Sequence, residues 1–394
     1  MNVLEYLENN ILFLDGGAGT LLQEAGLPSG EFPERWNITH PETVTKIHRD
    51  YFDAGSNVVY TNTFGANSLK FSPEELREIV GGAVSCARRA KEESTSSDEK
   101  FIALDIGPTG KLLKPLGSLS FEDAVEVFAA TVRLGVEFGV DLIVIETMND
   151  SYETKAALLA AKENSRLPVF VTNAYGEDGK LMTGADPCAM AALLEGMGAD
   201  AVGINCSLGP KALAPAAEKL LERCSVPVIF KPNAGLPSVV GGKTVYDVSP
   251  EEFARDVFAL IEKGVRIAGG CCGTTPEYIK ALKKLCGGFS PVPVQKKEIC
   301  AVSSYTHAVD FGASPVLIGE RLNPTGKKLM KEALGTGNMD YILGEAIGQS
   351  DRGAHVLDVN VGLPGIDEAS VLKKTVEEIQ AVCDLPLQID TSDT

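Results

Sequence analysis

Eight short apolar segments, each followed by a longer amphipathic one, recur through the first 286 residues and limit the folds open to this chain. The apolar segments have the length of buried strands, and the segments between them have helical spacing. The apolar segments lie at 11–14, 57–60, 101–104, 141–145, 168–171, 201–204, 227–230 and 265–268. Eight strand–helix units in succession predict the α/β class and a (β/α)8 TIM barrel, with parallel strands inside and helices outside.

The helical segments separate these strands, and one more follows the last strand. They lie at 41–54, 73–93, 121–138, 152–164, 187–197, 211–223, 250–263 and 276–285. The connections after the early strands are long, which is where the substrate loops of such a barrel lie.

Polar residues or cysteines follow each of the eight predicted strands. They are Asp15, Asn62 with Thr63, Asp105, Glu146, Asn173, Asn205 with Cys206, Asn233, and Cys271 with Cys272. Since the C-terminal strand ends of such a barrel meet at one mouth, we expect these side chains to converge there. Asp and Asn are also frequent turn residues, but turn formation alone explains a whole set of eight poorly.

Two adjacent cysteines, Cys271 and Cys272, stand between glycines directly after the eighth strand, and Cys206 directly follows the sixth. Three thiolates from two strand ends predict a zinc site whose fourth position stays open for a soft ligand such as a thiol. Asn233 is a candidate for that position when no substrate is bound. A bond between Cys271 and Cys272 fits disulfide geometry poorly. We interpret the other six cysteines as small buried apolar residues.

Composition excludes several classes of function. The formal net charge of −18 argues against nucleic acid or an anionic membrane as a partner. Only four histidines are present, which disfavours histidine-centred acid–base catalysis. The N-terminus is acidic and unlike a signal peptide, and no apolar run approaches the roughly 20 residues of a membrane span. Nine scattered cysteines do not resemble a secreted disulfide framework, so we expect a cytoplasmic protein.

A second segment follows a stretch that is rich in Pro and Lys. Its predicted strands lie at 316–319, 354–357 and 386–389, with helices at 338–352 and 368–383. We therefore predict a barrel at 1–290, a linker at 291–314 and an incomplete second βα barrel at 315–394. Three strands cannot close a barrel, and we expect the chain to be the N-terminal portion of a longer protein.

Several motifs of the first segment together resemble the homocysteine S-methyltransferase family over roughly residues 1–286. These are Asp15-Gly16-Gly17, Thr61-Asn62-Thr63-Phe64-Gly65, Gly203-Ile204-Asn205-Cys206, Pro232-Asn233-Ala234-Gly235 and Gly269-Gly270-Cys271-Cys272-Gly273. In the second segment, Gly319-Glu320-Arg321-Leu322-Asn323, Asp358-Val359-Asn360 and Asp390-Thr391-Ser392 resemble the start of a pterin-binding barrel. That order of modules is similar to the cobalamin-dependent enzymes that form methionine.

The resemblance implies a zinc-dependent transfer of a methyl group to the thiol of homocysteine, giving methionine. Cys206, Cys271 and Cys272 would be the catalytic zinc ligands. The methyl donor would be methylcobalamin on a domain or protein outside this chain, and ultimately methyltetrahydrofolate.

Buried carboxylates require a cationic partner, so Glu146 and Asp15 are candidates for holding the substrate ammonium. Gly16 and Gly17 lack side chains and can bring backbone N–H groups against the substrate carboxylate. The resemblance supports the same roles, and Asn62, Thr63 and Asn233 complete the predicted substrate-binding set.

In the second segment, Glu320, Asn323, Asn360 and Asp390 are candidates for binding a pterin ring, whose donors and carbonyl suit carboxylate and amide partners. An incomplete barrel offers no closed pocket, so we do not expect folate binding by this segment alone.

Two other functions fit parts of the sequence. A cobalamin-independent methyltransferase would use a sulfonium or betaine-type donor, but it has no role for a pterin-type second segment. A zinc- or redox-sensing thiol module would need no carboxylates at the barrel mouth, so Glu146 and Asp15 argue against it.

Overall fold

The structure is a computed structural model that describes residues 1–240, 243–312 and 314–392. Ala313 of the predicted linker and Asp393 and Thr394 of the predicted tail lie outside the described residues. The chain separates into two compact units, which are described separately. The first comprises Met1–Thr183 and Leu194–Lys297, and the second comprises Gly184–Leu193 and Glu298–Thr394.

Eight parallel strands of the first unit form one sheet. They are β1 (Leu12–Phe13), β2 (Val58–Tyr60), β3 (Phe101–Ile106), β4 (Leu142–Met148), β5 (Val169–Asn173), β6 (Ala201–Asn205), β7 (Val228–Lys231) and β10 (Ile267–Ala268). Their order is β1-β10-β7-β6-β5-β4-β3-β2, and a bridge between Leu14 and Val58 joins the two end strands. The predicted (β/α)8 barrel is thereby confirmed. A small antiparallel hairpin, β8 (Ser238–Val240) with β9 (Lys243–Val245), follows β7.

Helices alternate with these strands. They are α1 (Val3–Asn9), α2 (Ala18–Glu24), α3 (Trp36–Thr39), α4 (Pro41–Ala54), α5 (Pro73–Glu93), α6 (Phe121–Phe138), α7 (Ser151–Asn164), α8 (Pro187–Gly196), α9 (Pro210–Arg223), α10 (Pro250–Ile261) and α11 (Pro276–Leu285). Ser72, Ser120 and Ser249 accept a backbone N–H at the starts of α5, α6 and α10, which fixes where these helices begin. No helix in the described ranges is long and apolar enough to span a bilayer.

The barrel interior is an apolar core below a polar mouth. Val3 and Leu7 of α1 pack into the same cluster as inward-facing strand residues such as Phe101 and Phe170. The Arg266 guanidinium donates to the Leu7 and Asn10 carbonyls, which ties α1 to the start of β10. The chemistry-bearing side chains therefore lie at the opposite end, where the strands finish.

The second unit contains a hairpin, β11 (Cys300–Ser303) with β12 (Ala308–Phe311), and a parallel sheet of β13 (Ile318–Leu322), β14 (Val356–Val359) and β15 (Leu387–Ile389). Its helices are α12 (Lys328–Thr336), α13 (Met339–Asp351) and α14 (Glu368–Gln380). The predicted linker at 291–314 thus contains regular structure, because two short β-prone runs pair across the turn at Ser304. The helix α12 was absent from the sequence prediction.

Candidate metal and substrate site

Three cysteine sulfurs meet at the mouth of the barrel. The Sγ atoms of Cys206, Cys271 and Cys272 all lie within 4.8 Å of one another, and those of Cys206 and Cys272 are 3.9 Å apart. All three cysteines are free of disulfides, and Cys271 is buried. Three sulfurs around a tetrahedral zinc at about 2.3 Å would lie about 3.8 Å apart, so the observed cluster fits that ion.

The backbone around these cysteines adopts unusual conformations. Cys206 and Ser207 have φ values of 61° and 63°, in the left-handed region that non-glycine residues rarely occupy. Gly273, with φ of 78°, also lies beneath the ring of Tyr246, where a Cβ atom would approach within 2.2 Å. The Asn233 side chain accepts the Cys272 N–H at 3.0 Å. These constraints turn the three sulfurs toward one point.

The environment of the thiols favours their protonated forms when no cation is present. Hydrogen bonding to Cys206, followed by burial, raises the pKa of Cys271 well above its usual value. The hydrogen bond with Cys271 lowers the pKa of Cys206, but the one with Cys272 and burial outweigh it and raise that pKa to about 11. For Cys272 the hydrogen bond with Cys206 lowers the pKa, while the one with Cys271 and burial raise it to about 12. At neutral pH a cation among the three sulfurs would therefore favour their thiolate forms.

A buried ion-pair cluster lies beside the cysteines. The Lys231 Nζ atom is 3.5 Å from Oδ1 of Asp15 and 3.4 Å from Oε2 of Glu146, and it lies 4.2 Å above the centre of the Tyr60 ring. Asp15 also accepts the Tyr60 N–H at 2.7 Å. Burial disfavours the Lys231 ammonium, but the charges of Glu146 and Asp15 outweigh it and raise the Lys231 pKa well above its usual value. Lys231 is therefore a cation.

Lys231 was absent from the sequence prediction. It is the last residue of β7, one position before the Pro232-Asn233 motif that drew attention to this strand end. A lysine that ends an otherwise apolar strand, Val228-Ile229-Phe230, is the signal that could have identified it. Burial raises the pKa of Asp15 to about 6 against the opposing effect of this lysine, so Asp15 is mostly ionised at neutral pH.

The cysteines and the carboxylates line one cavity of about 340 Å³. Predicted residues that line it are Asp15, Gly16, Gly17, Asn62, Glu146, Cys206, Cys271 and Cys272. Asp105 also lines it, and burial together with the charge of Glu146 raises the Asp105 pKa well above its usual value. The cavity thus combines three thiols with an acidic wall.

Two predicted substrate residues, Thr63 and Asn233, are not among those that line the cavity. The Thr63 hydroxyl donates to the Asp105 carbonyl at 2.7 Å, which braces the end of β3. Asn62 lines the cavity, but its amide donates to the Pro33 carbonyl at 2.8 Å. The Gly17 N–H donates to Thr274 at 3.2 Å. These groups are thus already hydrogen-bonded within the chain.

In the second unit, the predicted pterin residues Asn323, Asn360 and Asp390 directly follow β13, β14 and β15, and Glu320 lies in the middle of β13. The Asn360 amide donates to the Asp390 carboxylate at 3.0 Å. Glu320 pairs with Lys327 at 2.9 Å, and the Asn323 side chain accepts the Thr325 N–H at 2.8 Å. Asn360 and Asp390 are therefore brought into direct contact, while Glu320 and Asn323 each contact a residue of the segment that follows β13.

Comparison with known proteins places this arrangement in a family. Residues 12–286 match the homocysteine S-methyltransferase family, and the chain belongs to that family of methyltransferase enzymes. The family predicted from the sequence is thereby confirmed.

Two curated relatives match the chain along its whole length. The methionine synthase of Mycobacterium leprae is 31% identical over 417 aligned residues, covering 100% of this chain and 34% of that protein. The methionine synthase of Mycobacterium tuberculosis is 31% identical over 413 residues, with the same coverage. The chain therefore spans about a third of the length of these relatives.

Solved structures share the fold of the first unit. The oxidized form of the homocysteine methyltransferase MmuM from Escherichia coli superposes with a TM-score of 0.61 at 23% identity, covering 72% of this chain and 98% of that chain. Its metallated form gives the same TM-score and identity, covering 72% of this chain and 99% of that chain. At this identity the likeness establishes the barrel fold.

Proposed function

We propose that the first unit transfers a methyl group to the thiol of homocysteine, forming methionine, with zinc held by Cys206, Cys271 and Cys272. The observation that carries the proposal is the cluster of three sulfurs within 4.8 Å of one another beside an acidic cavity wall. Family membership and the match to methionine synthases support the same reaction.

The donor set suits zinc, since thiolates are soft ligands and three of them leave one position open for a substrate sulfur. When bound, zinc supplies Lewis-acid chemistry that lowers the pKa of a coordinated thiol and leaves a thiolate nucleophile at neutral pH. Within the chain, the left-handed turn at Cys206 and the Asn233 bond to Cys272 hold the sulfurs ready for the ion. Because the ligands must stay reduced, we place the reaction in the cytoplasm.

The charge of the cavity wall matches the amino-acid end of homocysteine. Asp15 and Glu146 carry two negative charges when ionised, and Lys231 supplies one positive charge between them. One negative charge is left over, which suits one substrate ammonium. Gly16 and Gly17 line the same cavity, where they would face the substrate carboxylate, and their lack of a Cβ atom lets the chain pack closely against Thr274 and the Cys271 carbonyl.

We propose that the methyl donor is methylcobalamin. It would be carried by another protein, or by a domain that corresponds to a region of the methionine synthases that this chain does not match. Methylcobalamin would supply a methyl group open to attack by a thiolate, and the zinc ligands Cys206, Cys271 and Cys272 would present the substrate sulfur to that donor. We also propose the division into a homocysteine barrel at 1–290, a linker at 291–314 and a pterin-type segment at 315–394. In that segment Glu320, Asn323, Asn360 and Asp390 would serve methyltetrahydrofolate in the longer enzyme.

The metal assignment is tested by zinc content. Cys206→Ser, Cys271→Ser and Cys272→Ser should each lose stoichiometric zinc after dialysis. Cys224→Ser, at a buried cysteine outside the cluster, should keep it. Full retention of zinc by the Cys271→Ser protein would exclude this site.

The donor is tested by offering zinc-loaded protein homocysteine with methylcobalamin, with a sulfonium donor or with betaine, and measuring methionine. Methylcobalamin should give product slowly, because a free donor lacks the effective concentration of a tethered one. Methyltetrahydrofolate without cobalamin should give none. Turnover with the sulfonium or betaine alone would replace the proposed donor and leave the thiol as the acceptor.

A further inference from the structure

The side-chain amide of Asn205 connects the acidic wall to the cysteine cluster. Its Nδ2 atom lies 3.2 Å from Oε2 of Glu146 and 3.9 Å from Sγ of Cys271. The residue is fully buried at the end of β6, directly before Cys206. One carboxamide therefore contacts a residue of the proposed ammonium site and a proposed metal ligand.

Asn205 also hydrogen-bonds to Thr147, a residue with a strained backbone conformation. Thr147, the residue after Glu146, has φ of 58°, which is unfavourable for a β-branched side chain. The Asn205 Oδ1 atom accepts the Thr147 N–H at 2.7 Å and the Thr172 hydroxyl at 2.9 Å, while Nδ2 donates to the Thr147 hydroxyl at 2.6 Å. Such a conformation persists only where surrounding contacts enforce it, and Asn205 supplies two hydrogen bonds to Thr147.

The residue that follows β6 is strained in the same way. Cys206 has φ of 61°, so left-handed residues lie near the C-terminal ends of β4 and β6, two strands that both flank β5. Thr147, Cys206 and Ser207 are the non-glycine residues with positive φ in the described parts of the chain. Strain of this kind concentrates at sites where side-chain direction matters.

We propose that Asn205 is a positioning residue that sets the direction of Glu146 and donates an N–H to the Cys271 sulfur, so that the substrate ammonium and the metal are held at a fixed separation. This inference rests on the proposed function. An amide suits the task because its oxygen accepts a backbone N–H while its two N–H groups are shared among the carboxylate, the hydroxyl and the sulfur that surround Nδ2. Hydrogen bonds to ligand atoms of this kind orient metal sites.

The chain offers a matched control in Asn173, which is also fully buried and ends the adjacent strand β5. Its amide donates to the Met148 carbonyl at 3.2 Å and to the Thr154 hydroxyl at 3.0 Å, and it does not line the cavity. Asn205→Asp and Asn173→Asp each replace an amide donor by a carboxylate of the same size. Only the first removes donors from Glu146 and Cys271.

The test compares both variants with the parent in two measurements. In calorimetry of the zinc-loaded proteins, Asn205→Asp should weaken homocysteine binding at least tenfold, and Asn173→Asp should leave it within about twofold. With cobalt(II) in place of zinc, Asn205→Asp should shift the thiolate-to-cobalt charge-transfer absorption, and Asn173→Asp should not. A role confined to stability would lower the melting temperature of both variants without moving that absorption.

If Asn205→Asp does not fold, Asn205→Ser removes the same donors without adding a charge and takes its place. Unchanged homocysteine affinity together with an unchanged cobalt spectrum would overturn the inference. Failure of the parent itself to bind homocysteine would refute the proposed function instead. The cobalt spectrum would then still decide whether Asn205 acts on Cys271.

Discussion

The Nζ atom of Lys231 lies 3.4 Å from Oε2 of Glu146, and both side chains are buried at the mouth of the barrel. Asp15 lies 3.5 Å from the same ammonium, so two carboxylates share one internal cation. Each of these two carboxylates at the barrel mouth therefore has a cationic partner, and the mouth still carries a net negative charge. Its remaining negative charge is the feature that we assign to substrate recognition.

Removal of that cation should destabilise the protein. Lys231→Met leaves Asp15 and Glu146 buried without their partner, and loss of one member of a buried pair costs roughly 3–5 kcal/mol. Chemical denaturation at neutral pH measures the loss. The exposed pair Lys263–Glu218 supplies the control, since Lys263→Met should lower the free energy of unfolding far less. Equal losses in the two variants would show that the buried cluster is not a significant source of stability.

Neutralisation of Glu146 should weaken substrate binding without affecting the metal. Glu146→Gln removes a charged partner of the homocysteine ammonium, a change worth roughly 1.5–3 kcal/mol. Calorimetry with homocysteine should show this loss at unchanged zinc content. The thiol 4-mercaptobutyrate, which lacks the amino group, should bind parent and variant alike. The assignment of the ammonium to Glu146 would be refuted by homocysteine binding equally well to both proteins.

A buried histidine on α4 should make the protein sensitive to acid. Burial lowers the pKa of His48 to about 4, and neither ring nitrogen has a hydrogen-bond partner among the described residues. The unfolded chain takes up a proton near the ordinary value of 6.5, so stability falls as the pH drops from about 6.5 to about 4.

The lowered pKa of His48 alone should decrease the free energy of unfolding by about 2.5 kcal/mol when the pH falls from about 7.5 to about 4.5. His48→Leu should shrink the difference in unfolding free energy between those two pH values by that amount, as measured by urea denaturation. His40→Gln, at an exposed ring, is the control and should leave the difference unchanged. An identical pH dependence in His48→Leu and the parent would contradict the expectation.

The barrel could be predicted from the sequence because apolar strand segments and amphipathic helical segments recur in regular alternation. The boundaries of α4, α5, α6 and α11 agree with those expected, since Pro or Ser at their starts fixes the first turn. The strands were harder to delimit. β3 continues through Asp105 and β4 through Glu146, because residues near the mouth of a barrel can be polar and still lie within a strand.

The site could be predicted only where single residues carry a distinctive chemistry. Cysteines at two strand ends were enough to indicate a metal, and they do converge. Lys231 and the linking role of Asn205 depend on which side chains face each other across the barrel. One sequence does not contain that information. The hydrogen bonds of Gly17 and Asn62 to other parts of the chain likewise depend on which groups the fold brings together.

The most direct test of the account is a titration of zinc-loaded protein with homocysteine, performed calorimetrically in buffers of different ionisation enthalpy. If Cys206, Cys271 and Cys272 hold a zinc ion that takes up the substrate sulfur, binding at neutral pH should release close to one proton per site. Homoserine, in which a hydroxyl replaces the thiol, should release none. Homocysteine binding without proton release, or binding of equal affinity in zinc-free protein, would contradict the claim that this barrel activates a thiol.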